Sequence, residues 1–199
     1  MPRMRTNGKK GPERGGGMIK PILFNTAMVQ AILDGRKTMT RRVVKNPAKP
    51  PCRKGDILYV RETWHKYTKR VGKGENCHLA EFYGYKASVT NSEDANEPWH
   101  PSIHMPKKAA RIWLKVTDVR MERLQDIDDE EAKKEGANWK NGRNIGWEEK
   151  MRRTPTERFA EIWNYTIRKT DLDFYGWDAN PWVWVIEFER CEKPEATFS

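Results

Sequence analysis

The chain has little cysteine and no long apolar run. Only three of its 199 residues are cysteines, Cys52, Cys77 and Cys191, and no two of them form a CxxC pair. This odd and sparse count excludes a disulfide scaffold and suits a reducing compartment. No uncharged stretch reaches the roughly 18 residues that a membrane-spanning helix needs, and no apolar signal core follows the basic start. The sequence therefore predicts a cytoplasmic protein without a membrane segment.

Histidine is also scarce, which argues against a metal site. Cys77 stands beside His78, and His100 and His104 form an HxxxH pattern. Pro101 interrupts that pattern, so the two histidines are not expected to share a helical face. Zinc needs more ligands at workable spacing than these. We expect neither a metal nor another cofactor.

Negative charge is in deficit. The chain has 38 Lys and Arg against 28 Asp and Glu, a net charge of +10. Residues 1–17 hold five basic residues and one acidic residue, and this glycine-rich stretch predicts a disordered basic tail. The remaining +6 favours an anionic partner, of which nucleic acid is the commonest, although lysine-rich surfaces also serve solubility alone.

Hydrophobic periodicity divides the rest of the chain into short strands and a few helices. Helices are predicted after Asn25 or Thr26, after Asp128 in a D-x-x-E box, and after Thr154, which precedes Pro155 and Glu157. Alternation of apolar residues predicts strands at 22–24, 56–64, 81–89, 111–119 and 182–190. This mixture predicts one α+β domain over 18–191, a small β-barrel with helices on its rim, followed by a flexible end at 192–199.

The segment GRKTMTRR at 35–42 concentrates polar chemistry directly after a predicted helix. In an extended chain Lys37 and Thr40 would point to opposite faces, so a bend is needed to bring them together. If they converge and lose water, Lys37 could act as a base toward Thr40. The alternative, which the residues alone favour, is that Lys37, Arg41 and Arg42 neutralise phosphates while Thr40 caps a turn.

The same segment resembles the G-x-K-x-x-T-x-R signature of the ASCH domain, a branch of the PUA-like superfamily. The layout is also similar to longer phage- and prophage-encoded ASCH-type proteins, through PSIHMPKKAAR at 101–111. This resemblance implies a PUA-like small β-barrel with two or three flanking helices and insertions at about 65–110 and 137–180. Further matches follow in the family's order: KGDILYV at 54–60, RIWLKVTDVRMERLQDI at 111–127, EEAKKEG at 130–136 and WVWVIEFE at 182–189.

Small ASCH proteins include amidohydrolases that remove the acetyl group from acetylated cytidine. Carried over by the motif matches, their catalytic triad would be Thr40 as nucleophile, Lys37 as base and Glu135 as acid. The implied partner is RNA or a modified nucleoside. Other ASCH proteins bind RNA or resemble ribonucleases, so a non-catalytic RNA-binding module or a phage adaptor stays open.

Two further groups are candidate nucleic-acid contacts. Arg61, Glu62 and Trp64 close the predicted strand at 56–64, where Trp64 could stack on a base and Glu62 could accept from an amino group. The alternative is a core tryptophan and a glutamate on the barrel rim. Contacts to phosphate or to a substrate carbonyl are also expected from Ser102, His104 and Lys107. The alternative is that the loop which carries these residues is only structural.

A chain that begins at Met18 should melt at the same temperature as the full chain, because a disordered tail buries no surface. Thermal unfolding followed by circular dichroism measures both proteins. A melting temperature lower by several degrees would show that residues 1–17 dock on the domain, and the boundary at Met18 would be wrong.

Overall fold

The computed structural model describes residues 17–88, 98–137 and 153–195. The predicted tail up to residue 16 and the last four residues lie outside this part of the chain. Short 3-10 turns join several elements. The described strands are β1 (Ile19–Leu23), β2 (Met39–Val43), β3 (Ile57–Arg61), β4 (Trp64–Val71), β5 (His78–Tyr85), β6 (Trp113–Arg123) and β7 (Trp182–Cys191). The helices are α1 (Thr26–Leu33), α2 (Asp129–Lys134), α3 (Pro155–Thr166) and α4 (Leu172–Tyr175).

Five strands form one mixed sheet in the order β1-β3-β6-β7-β2. Strand β1 pairs with β3 in parallel, and the other three pairs are antiparallel. Strands β4 and β5 form a separate two-stranded ribbon. The α+β class is therefore confirmed. Within the described residues the five-stranded sheet keeps two edges, β1 and β2, and does not close into a barrel.

The three helix starts lie where the sequence predicts them. The side chain of Asn25 accepts a hydrogen bond from the Met28 amide at 2.9 Å, and that of Asp128 accepts from the Glu131 amide at 2.8 Å. Thr154 and Glu157 exchange side-chain to backbone bonds of 2.9 and 3.1 Å in a complete capping box. Each cap supplies an acceptor for an amide that the helix itself leaves unpaired, which explains why these local signals are reliable.

The predicted strand at 56–64 is wrong at its end. Strand β3 stops at Arg61, and β4 begins at Trp64 in the separate ribbon. At the break, the amide of Glu62 donates to the sulfur of Met105 at 3.2 Å instead of joining the sheet. Trp64 then pairs with His100 through two backbone hydrogen bonds. The alternation of residue types continues past Arg61 in the sequence, but the backbone leaves the five-stranded sheet at that point.

The sheet is covered on both faces. On β7, Val183 and Val185 belong to a buried cluster with α2 and α3, whereas Ile186 and Phe188 belong to a second cluster with α1. A third cluster fixes the β4–β5 ribbon to the body around Trp113. In the described ranges, no helix has both the length and the apolar content for crossing a bilayer.

Asp56, in the turn before β3, ties the first strand to the sheet. Its carboxylate accepts from Lys20 Nζ at 2.8 Å, from the Met18 amide at 2.9 Å and from the Arg53 amide at 3.0 Å. Burial by itself would raise the pKa of Asp56, but the hydrogen bonds from Lys20, Arg53 and Met18 outweigh it and lower the pKa below its usual value. The ionised form is therefore the form that stabilises the fold.

Asp56→Ala should lower the free energy of unfolding by about 1–3 kcal/mol near neutral pH, because three donors lose their acceptor. The folded pKa lies below the unfolded one, so the benefit is present above about pH 4 and is lost as the pH falls through the folded pKa. Urea unfolding at neutral and at acidic pH measures the difference between the two proteins. A loss that stays the same in acid would contradict this role; Asp34→Ala, at an exposed carboxylate, is the control.

Candidate functional site

The motif at 35–42 begins with a tight turn at the end of α1. Gly35 has a left-handed backbone conformation with φ of +72°, which glycine adopts without steric cost. The amides of Arg36 and Lys37 then fold back to the carbonyl of Ala31 at 2.8 and 3.0 Å. This is the bend that the motif requires. It turns Lys37 inward just before β2 begins.

A second glycine lets the end of α2 approach this turn. Gly136 has φ of +87°, and a Cβ atom built there would lie 3.1 Å from the Ala31 Cβ and 3.5 Å from the Lys37 Cβ. The amide of Thr38 donates to the carbonyl of Lys134 at 2.9 Å, which joins the two segments. Glu135 is thereby held against Lys37, from which it is 98 residues distant in sequence.

Lys37 and Glu135 form a buried ion pair. The Lys37 side chain has no exposed surface, and that of Glu135 is only 5% exposed. Lys37 Nζ lies 2.6 Å from Glu135 Oε2, 2.8 Å from the Glu135 carbonyl oxygen and 2.8 Å from the Met39 carbonyl oxygen. An ammonium group has three N–H bonds, and these three acceptors use all of them.

These contacts revise the role predicted for Lys37. Burial lowers its pKa, with Arg42 and Arg41 adding to the effect, while the Glu135 carboxylate opposes it. In the described residues, no hydrogen bond joins Lys37 to the Thr40 hydroxyl. The Lys37 nitrogen instead contacts three protein acceptors, one of which is the Glu135 carboxylate. In this arrangement Lys37 fixes the position of Glu135.

Arg41 is enclosed by carboxylates. Its side chain has no exposed surface. The guanidinium lies 2.5 Å from Glu131 and 3.4 Å from each of Glu122 and Glu135. Arg120 binds Glu131 and Glu122 from the other side. The predicted phosphate contact of Arg41 does not suit this arrangement, because the guanidinium would first have to leave these partners.

Arg42 is half-buried at the edge of the site. It donates to the carbonyl of Leu23 at 2.8 Å, and its guanidinium carbon lies 5.3 Å from the centre of the Phe24 ring. Of the two neighbouring arginines, Arg42 is therefore the one that an entering anion could reach.

A cleft opens beside this ion pair, between α1, β2 and α3; we call it the α1–α3 cleft. It consists of two adjoining cavities of about 690 and 390 Å³ that share Met28, Glu135, Ile162 and Thr166 in their walls. Thr40 and Arg42 line the smaller cavity. Volumes of this size are usual for small-molecule sites. Two of the three residues of the predicted triad, Thr40 and Glu135, therefore face one space, with Lys37 buried behind Glu135.

Sequence reasoning missed the wall formed by α3. Ile162, Tyr165 and Thr166 line the larger cavity, and the Tyr165 side chain is exposed at its mouth. The periodicity of α3 predicts the helix and its apolar face, but no local signal indicates which element that face covers. The ASCH resemblance predicts only an insertion at about 137–180, the range that includes α3.

Glu62 lies elsewhere, in a buried pair with Arg111. The Arg111 Nε and Nη2 atoms donate to the two oxygens of Glu62 at 2.9 and 3.0 Å. The guanidinium also packs on the Tyr85 ring, 4.1 Å from its centre. Glu62 is only 1% exposed and is held by Arg111, so the predicted hydrogen bond from a base amino group to Glu62 does not suit this arrangement.

Trp64 is a core residue. It is 9% exposed and packs in one buried cluster with Met105, Ala109 and Trp113. The core interpretation therefore holds, and the expectation that Trp64 stacks on a base is corrected. Its indole is occupied by packing against the loop that follows the ribbon.

The remaining predicted contacts surround that same loop. Arg61 Nη2 donates to the carbonyl of Ile103. Ser102 is half-buried, His104 is exposed, and Lys107 Nζ lies 6.0 Å from the centre of the Trp113 ring. Of the described residues that line the α1–α3 cleft, none is among these four, Glu62 or Trp64. The structure thus separates the predicted site into two regions.

Within the described residues, no group of three or more His, Cys, Asp or Glu side chains is arranged to hold a metal ion. The chain matches no protein-family model, no curated protein and no solved structure. The ASCH resemblance therefore stays a hypothesis that depends on the motifs alone.

Lys37→Met and Glu135→Gln should each lower the free energy of unfolding by about 3–5 kcal/mol, because each leaves a buried polar partner unpaired. Combining the two substitutions should cost less than the sum, since neither charge is then left alone. Urea unfolding of the four proteins gives the coupling energy, with Lys49→Met at an exposed lysine as the control. Additive losses would show that the two side chains do not act as a pair.

Proposed function

We propose that the protein binds an acylated nucleoside, free or within RNA, in the α1–α3 cleft and hydrolyses its amide bond. The observation that carries this proposal is the meeting of Thr40 and Glu135 on one cavity while Lys37 is buried against Glu135. A hydroxyl and an acid–base group on the wall of one cavity are the groups that acyl transfer needs.

In the proposed reaction, Thr40 Oγ attacks the acyl carbonyl carbon and passes its proton to the Glu135 carboxylate. The bond between the carbonyl carbon and the exocyclic nitrogen then breaks, and Glu135 returns the proton to that nitrogen. Water hydrolyses the resulting threonine ester through the same carboxylate, which releases the acid and restores the hydroxyl. Protons and electron pairs balance without a further reactant.

Lys37 acts here as a positioning residue. Its ammonium fixes one oxygen of Glu135 by a 2.6 Å bond. The other oxygen, Oε1, lies 3.4 Å from Arg41 Nη1. That bond is long, so Oε1 keeps acceptor capacity for the proton that Thr40 loses.

The ASCH assignment is part of this proposal. Its support is the order of the motifs and the way in which the fold uses them. The first motif supplies Thr40 at the start of an edge strand, and the EEAKKEG segment supplies Glu135 at the end of α2. A PUA-like barrel, in which further pairing would close the sheet, belongs to the same hypothesis.

A second candidate function is recognition of RNA without turnover. It is favoured by one specific observation: all three N–H bonds of Lys37 are donated to protein acceptors. In that case Lys37 and Glu135 only shape the cleft, and the net charge of the domain provides the affinity.

Thr40→Val removes the hydroxyl but keeps the branched shape, so it should abolish turnover of an acylated cytidine while leaving the fold intact. Thr40→Ser should retain measurable activity. Chromatography of the nucleoside products measures the rate, and the matched control is Thr38→Val in the same motif, at an exposed threonine.

Full activity of Thr40→Val would refute the nucleophile and replace it with an attacking water. If the parent protein turns over none of a panel of acylated nucleosides but binds them, recognition without turnover is the function. Thr40→Val should then change the affinity by less than about tenfold, the loss of one hydrogen bond.

A further inference from the structure

The β4–β5 ribbon carries a row of aromatic rings that no buried core cluster includes. The rings of His65 and Trp99 lie 4.6 Å apart, those of His65 and Tyr67 5.4 Å, and those of Tyr67 and Phe82 5.7 Å. The last pair is nearly parallel, with an interplanar angle of 25°. We call these four side chains the ring row.

The strand register places the ring row on one face of the ribbon. Tyr67 is paired with Phe82, and His65 is paired with Gly84. The opposite face starts with the pair of Trp64 and Tyr85, which packs on the body of the protein. Since cross-strand partners share a face, the ribbon is attached by one face, and His65, Tyr67 and Phe82 lie on the other, where Trp99 contacts His65.

His65 makes this row unusual. It is 1% exposed, and neither of its ring nitrogens has a hydrogen-bond partner among the described residues. A Cβ atom on Gly84 would lie 1.8 Å from His65 Nε2, so the imidazole occupies the space that a side chain at this position would fill. A buried polar group without a partner is rare in folded proteins and needs a reason. A ligand that inserts between the rings would supply the missing partner.

The cations beside the ring row indicate which ligand. Lys69 lies on the same face as Tyr67, two residues beyond it, and Lys73 follows in the turn between the two strands; both are exposed. Arg70 lies on the opposite face, as Lys66 does. Lys66 is neutralised by Glu81 on the opposite face. Rings that end in free cations match unstacked bases joined by phosphates.

We infer that the ribbon is a binding surface for single-stranded nucleic acid, whose bases stack on Tyr67 and Phe82 while Lys69 and Lys73 contact its phosphates. A duplex keeps its bases stacked inside, so it would meet the cations but not the rings. This surface does not depend on turnover in the α1–α3 cleft. RNA and DNA both offer the bases and phosphates that this surface would contact, and they differ in the 2′-hydroxyl.

The test is the binding of fluorescent oligouridylate and oligothymidylate of about ten nucleotides, a usual site length, measured by anisotropy. Tyr67→Leu and Phe82→Leu keep apolar volume but remove the ring, and each should weaken binding about tenfold. Tyr67→Phe should bind like the parent. Phe174→Leu, at an exposed ring outside the ribbon, is the matched control.

Lys69→Gln combined with Lys73→Gln should weaken binding and lower the salt dependence by about 1.4 in the logarithmic slope, two phosphates of a single strand. The control pair is Lys49→Gln with Lys54→Gln, also exposed. Circular dichroism confirms that each variant is folded. Binding by Tyr67→Leu and Phe82→Leu as tight as the parent's, or no binding of either oligonucleotide by the parent at low salt, would overturn the inference.

These outcomes are separate from those of the cleft. If the cleft proposal fails, no nucleoside is turned over, but the leucine variants still lose oligonucleotide binding. If the ribbon proposal fails, those variants bind as the parent does, while free nucleosides still react in a Thr40-dependent way.

Discussion

The buried pair of Lys37 and Glu135 is the constraint on which the rest of the cleft depends. Removing either charge from water costs several kcal/mol, so the pair persists only where every bond of the ammonium is satisfied. That condition fixes two distant stretches of backbone: the turn at Gly35 must point Lys37 inward, and Gly136 must allow the end of α2 to approach. The position of Thr40 at the start of β2 follows from the same turn.

The charges around this pair form one connected network rather than separate bridges. Arg41 and Arg120 share the carboxylates of Glu131 and Glu122, and Arg41 also reaches Glu135. Because Glu131 is on α2 and Arg41 is on β2, the network fastens that helix to the edge of the sheet. Glu131, which Arg41 holds from one side and Arg120 from the other, has little freedom to move.

Local signals predicted three helices and most of the strands but not β2 or the greater part of β4, and contacts between distant segments could not be predicted. The caps at Asn25, Asp128 and Thr154 depend on neighbours within three residues, and all three were correct. Where the chain passes from the sheet to the ribbon, the Glu62 amide bonds to Met105, which is 43 residues away. The alternation of residue types does not predict this contact. The motif match predicted Glu135 as a site residue. The packing of α3 over the cleft has no sequence motif that predicts it.

Helix α3 contributes both to the buried core and to the wall of the cleft. Phe159 and Trp163 fill the buried cluster beneath it, while Ile162 and Tyr165, on the same short helix, wall the cleft. Its first turn is fastened to α2 by the bonds from Thr156 to Asp129. A change in cleft shape made by tilting or sliding this helix would therefore disturb the core. The cleft is thus more readily reshaped by exchanging individual side chains on the open face of the helix, one at a time.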